Sequence, residues 1–93
     1  MKLSSCGIQG SLHAFFLADD GAILHCVRDK EGTWTAWHKL HSLQFADMSC
    51  AVVGSEIHLI AVTYSGIAVH NVLSASGEWA EFQQLPNQPI LKK

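Results

Sequence analysis

The chain predicts an all-β fold of two four-stranded propeller blades, and three observations carry that expectation. Residues Leu12 to Leu40 return as Ile57 to Leu85, with His13/His58, Gly21/Gly66, His25/His70, Gly32/Gly77, Trp34/Trp79 and Leu40/Leu85 all 45 residues apart. Short apolar runs rich in Val, Ile, Thr and aromatics fill both copies, and no window shows a 3.6-residue period. Glycine-bearing turns punctuate those runs at matching places. A period in the forties with this filling is the signature of a propeller blade.

Each copy parses into four strands. The first copy reads Leu3–Ile8, the turn Gln9-Gly10-Ser11, Leu12–Ala18, the turn Asp19-Asp20-Gly21, Ala22–Arg28, the loop Asp29-Lys30-Glu31-Gly32, and Trp34–Leu40. The second reads Met48–Val53, Ile57–Thr63, Ile67–Leu73 and Trp79–Leu85. Gly21 and Gly66 supply the positive φ of a tight hairpin. His41–Ala46 links the outer strand of one blade to the inner strand of the next. Pro86 and Pro89 keep the stretch after Leu85 out of any central ladder. The organisation is therefore blade 1 over residues 1–40, a connector over 41–47, blade 2 over 48–85 and a connector or tail over 86–93.

Two blades do not close a propeller. A blade buries its faces only against neighbours, and roughly three or more repeats make a stable array. A 93-residue domain buries only about 60–65% of its unfolded surface. Its residues are 48% hydrophobic and only 15% charged, too few charges to coat an isolated monomer. Self-association follows as an expectation. Head-to-tail closure gives four blades as a dimer, six as a trimer or eight as a tetramer, with the six-bladed homotrimer the middle choice.

The composition also sets several functions aside. A net charge of −2 with scattered Lys and Arg leaves no footprint for nucleic acid or an anionic membrane. The longest apolar runs, such as Ala14–Ala18, are far short of a membrane span, and Met1-Lys2-Leu3 leads into serines, so nothing marks export. Cys6, Cys26 and Cys50 have no metal-type spacing. Cys6 and Cys50 each follow a serine, at what read as equivalent places, as buried thiols that lean to a reducing compartment. No nucleophile elbow, phosphate loop or H-E-x-x-H motif is present, and Asp19 and Asp20 are explained by the turn they occupy. Glu78 and Glu81 stand where the first copy has Thr33 and Ala36, outside any repeated site. No catalytic residue, metal or cofactor is expected.

The run from Leu12 to His25, with Asp20-Gly21 inside it, closed by Gly32-Thr33-Trp34-Thr35-Ala36-Trp37-His38-Lys39-Leu40, resembles the repeat of the bacterial β-propeller lectins of the Photorhabdus type. Two blades in one short chain are similar to the small fucose-binding lectin of Ralstonia, a trimer that forms a six-bladed ring. The resemblance implies carbohydrate binding in pockets between adjacent blades. In the fucose-binding family an arginine on the second strand, a glutamate on the third and a tryptophan hold the sugar. Here His13 and His58 stand nearest the arginine position and His25 and His70 at the glutamate position.

Sugar binding needs an aromatic face and a few fixed hydrogen-bond partners. Trp34, Trp37, Trp79 and Phe82 offer rings, and His13, His25, His58 and His70 both donate and accept. The same histidines also fit inter-blade hydrogen bonding of partly buried imidazoles. Metal binding is less well supported, since none of them stand at i, i+2 and no acidic residue reads as beside them. Trp34 and Trp37, at i, i+3 on a strand, are expected on opposite faces. The expected function is a multivalent glycan-binding lectin, with self and glycans as partners. The alternative is a non-enzymatic scaffold of duplicated, engineered or fragmentary blades whose aromatics only hold the ring together.

Overall fold

In the computed structural model of the chain, which describes residues 2–40 and 44–86, every regular element is a strand. In order they are β1 (Lys2–Ile8), β2 (Ser11–Leu17), β3 (Ile23–Arg28), β4 (His38–Lys39), β5 (Phe45–Val53), β6 (Glu56–Thr63), β7 (Ala68–Leu73) and β8 (Gln83–Gln84). They form two four-stranded antiparallel sheets, β1-β2-β3-β4 and β5-β6-β7-β8. Among the described residues no helix is long and apolar enough to cross a membrane. Most of the tail expected over 86–93, and residues 41–43 of the connector, lie outside the described residues.

The 45-residue repeat holds down to single hydrogen bonds. Gly32 N–H donates to the Asp29 carbonyl and Gly77 N–H to that of Ser74, both at 3.0 Å. Thr35 N–H meets Val27 and Ala80 N–H meets Val72, both at 2.9 Å. The first β-hairpin turns through Gln9 and Gly10 with φ of 51° and 83°, the paired positive values whose twist matches flanking strands. Asp29 Oδ1 accepts the Glu31 and Thr33 amides, and Ser74 Oγ accepts that of Glu78. These side chains close the loop without help from the core.

The outer strands depart from expectation. Instead of running continuously over Trp34–Leu40 and Trp79–Leu85, each breaks into one bridge (Arg28↔Trp34 and Leu73↔Trp79) and a two-residue ladder (His25↔His38 and His70↔Gln83). Between bridge and ladder the outer strand carries one extra residue, a bulge at a sheet edge that pairs on one side only. The bulge reverses the face on which the next side chains fall. Trp79 and Phe82, three apart, therefore both pack against the core between the sheets, not on opposite faces as a regular strand requires.

The fifth strand starts at Phe45, three residues before the expected Met48, because the Phe45 amide donates to the Gly21 carbonyl at 2.8 Å. A register shift between Phe45 and Asp47 accommodates this early start. Past that shift β5 keeps the 45-residue register, and because Cys50 lies 44 residues after Cys6 the two occupy different places in their sheets. Cys6 pairs opposite His13, whereas Cys50 pairs opposite Leu59 and Ala51 opposite His58. The equivalent of Cys6 is thus Ala51, and the two thiols are half-buried across the sheet boundary.

The two sheets bury one face against the other. Phe15 and Ile23 of the first sheet and Phe45, Met48, Ile57 and Leu59 of the second are essentially inaccessible, and Phe15 meets Trp79 edge-on at 5.9 Å. Truncating a buried Phe of this kind costs about 3–5 kcal/mol. At the inner strands, Lys2 Nζ bridges to Asp47 Oδ1 at 2.7 Å, and that contact holds the Asp47 carboxyl below its ordinary range.

Gly21 is where the first sheet meets the start of the second. Its φ is +88°, and a Cβ there would stand 2.8 Å from Tyr64 Oη and 3.1 Å from the Phe45 nitrogen, whereas Gly66, at +89°, faces open space. Both Gly→Ala substitutions incur the left-handed backbone penalty of about 1 kcal/mol. Gly21→Ala should cost at least about 1 kcal/mol more than Gly66→Ala in urea unfolding, because backbone must also move. Equal losses would show that the Gly21 contact is not tight.

Candidate functional site

The histidines recurring in the two copies form two side-chain pairs. In antiparallel pairing Phe15 faces His25 and His13 faces Val27, so His13 lies diagonal to His25, within reach of a long side chain. His13 Nδ1 and His25 Nε2 are 3.0 Å apart, and His58 Nδ1 and His70 Nε2 are 2.8 Å apart. The rings stack at centroid separations of 5.2 and 5.0 Å. These bonds lie within each sheet, and among the described residues no imidazole hydrogen bond crosses the boundary inside the chain. The diagonal engages one nitrogen of each ring of the first pair.

The surroundings of the first pair are aromatic. His25 is stacked on Phe15 at 4.5 Å with the planes 6° apart, and Trp79 meets His25 edge-on at 5.7 Å. Beside this cluster opens a cleft of about 450 Å³ lined from the first sheet by His13, His25, His38 and Lys39 and from the second by Leu73 and Trp79. A smaller hollow of about 210 Å³ adjoins it, with Ser11 and His13 on one side and Leu73 and Gly77 on the other. His13 lines both. Its Nδ1 is engaged by His25, and its Nε2 has no hydrogen-bond partner among the described residues.

The expected site residues thus separate into three groups. His13, His25 and Trp79 meet at the cleft. Phe82 packs on Phe45 at 5.1 Å, deeper in the sheet boundary. Trp34 and Trp37 are about half exposed on the far side of the first sheet, Trp37 against Phe16, while His58 and His70 belong to the β6–β7 face turned away from the first sheet. His38 and Lys39 escaped a reading based on recurrence because Gln83 and Gln84 replace them in the second copy. The Glu56 carboxylate stands 3.2 Å from His58 Nε2, so an acidic residue does sit beside one pair, two positions away on the same strand face. Among the described residues no three His, Cys, Asp or Glu side chains are grouped to hold a metal ion.

Burial sets the electrostatics. It holds the His25 imidazole down to about 4, with the adjacent His13 and His38 rings adding to the effect, and lowers His13 as well. At neutral pH the first pair is two neutral rings, one donating and one accepting. The Cys6 thiol is pushed up to about 12 by burial and by Cys50 beside it, and burial raises Cys26 too. Thiols held protonated in this way are poor nucleophiles. No protein-family model, curated protein or solved structure matches the chain.

The depressed His25 value makes stability pH-dependent. Unfolded histidine titrates near 6.5, so the unfolded chain takes up a proton that the fold resists until about pH 4. Stability from this group is full above about pH 6.5 and is lost as pH falls toward 4, by about 3 kcal/mol at most. Urea unfolding at steps from pH 7 to pH 4 should show this fall, and His25→Gln should flatten it. An unchanged slope in the variant would assign the acid sensitivity elsewhere.

Proposed function

We propose that the chain is a carbohydrate-binding module whose two sheets act as propeller blades and close with further copies into a ring, three chains giving six blades. The observation that carries the reading is the cleft between the sheets. It joins the Trp79 ring to the polar groups of His13, His38 and Lys39 in a space of about 450 Å³, enough for one or two sugar residues. An aromatic wall takes the apolar face of a pyranose, and imidazole and ammonium groups take its hydroxyls. Repetition around a ring turns a weak pocket into avidity for displayed glycans.

A scaffold reading has its own support. Trp79 packs edge-on against Phe15 and His25, and the histidines satisfy one another, so each group also has a structural task. The two readings separate on a sugar titration. Neutral monosaccharides and a glycan array are tested while tryptophan fluorescence is followed. The lectin reading expects a saturable shift at millimolar sugar, weakened about tenfold in His13→Ala, the effect of about 1.4 kcal/mol from one lost hydrogen bond. No shift with any sugar, in a protein of unchanged mass and fold, would leave the scaffold.

A further inference from the structure

The boundary inside the chain is a template for the faces left open at its two ends. On one side of each sheet the repeat places Leu3, Leu12, Trp34 and Trp37 in the first copy and Met48, Ile57, Trp79 and Phe82 in the second. The second set is covered by the first sheet, with Met48 and Ile57 2% and 1% exposed. The first set is open, at 65%, 37%, 49% and 48%. The opposite faces mirror this. Phe15 and Ile23 are sealed, whereas their equivalents Ile60 and Ala68 are only half-buried. Each open face is the repeat counterpart of a face the chain already covers, so the occupant that fits is a second copy docked head to tail.

The two copies differ where that seam would close. Inside the chain, Ser11, His13, Leu73 and Gly77 line one small hollow. Their equivalents at a seam are Glu56 and His58 of one copy with Arg28 and Gly32 of the next. The Arg28 guanidinium already lies over Gly32, its Nη2 3.0 Å from where a Gly32 Cβ would be. Among the described residues it makes no ion pair. Glu56 shares a shallow hollow with Glu78 on the other open face, which concentrates negative charge there. Lys2 and Asp47 repeat the same polarity, since the contact they make inside the chain would recur between Asp47 and Lys2 of the next copy.

We infer that each seam between subunits is closed by an ion pair between Glu56 of one copy and Arg28 of the next, which the boundary inside the chain replaces with Ser11 and Leu73. This deepens the ring clause of the function proposed above and is independent of sugar binding. The pair also selects direction. Joining like faces sets Arg28 against Arg28 or Glu56 against Glu56, which like-charge repulsion disfavours.

The test is light scattering and sedimentation across a concentration series for the wild type, Glu56→Arg, Arg28→Glu and the double exchange, with circular dichroism confirming the fold of each. The wild type should run as a ring, about 30 kDa for three chains of 10.2 kDa. Each single reversal should raise the concentration needed for assembly by at least about tenfold, and the double exchange should restore it to within about threefold. Single reversals that assemble like the wild type, or a double exchange no better than the singles, would overturn the ion pair and leave the ring standing. A monomeric wild type would overturn both. A glycan titration on the same samples reports the cleft separately, so loss of sugar binding does not touch the seam.

Discussion

Everything in this chain depends on the need of each sheet to cover two apolar faces. A four-stranded meander exposes side chains on both sides, and only one of the two is met inside the chain, where Phe15 and Ile23 press on Ile57 and Leu59. That contact positions the rest. It sets Trp79 against His25, opens the cleft beside them, and brings the Gly21 turn onto the first residue of β5. It also leaves two faces whose chemistry is legible because each has a covered counterpart elsewhere in the same molecule.

The cleft inherits its character from this packing. His25 is drawn into a stack on Phe15 and loses its affinity for protons there, so His25 and His13 present neutral imidazoles to the cleft, with Lys39 supplying a fixed charge at its edge. Neutral rings that both donate and accept suit hydroxyl groups better than ionic ligands. The diagonal pairing to His13 fixes which nitrogen of each ring is spent and which is left.

Strand positions, turn glycines and the 45-residue register were readable from the sequence because they depend on local backbone chemistry and on recurrence. Features created by a single inserted residue were not. The bulge in the outer strand put Trp79 and Phe82 on one face, and the shift near Phe45 let β5 start three residues early. Recurrence singled out the four histidines that form the two side-chain pairs but hid which of their atoms meet. His13 and His25 meet along a diagonal that simple alternation does not name, and His38 was invisible because Gln83 replaces it. Glu56 looked unremarkable at the edge of a strand until the fold placed it on His58.

Leu73 and Arg28 occupy the same place in consecutive sheets, yet one belongs to the boundary inside the chain and the other to an open face. In an assembly of single-sheet subunits any substitution there would be imposed on every boundary at once. Duplication within one chain separates the two. Were copies to join through the open faces as proposed, the inner boundary could change without disturbing the outer one, and the outer one without disturbing the inner.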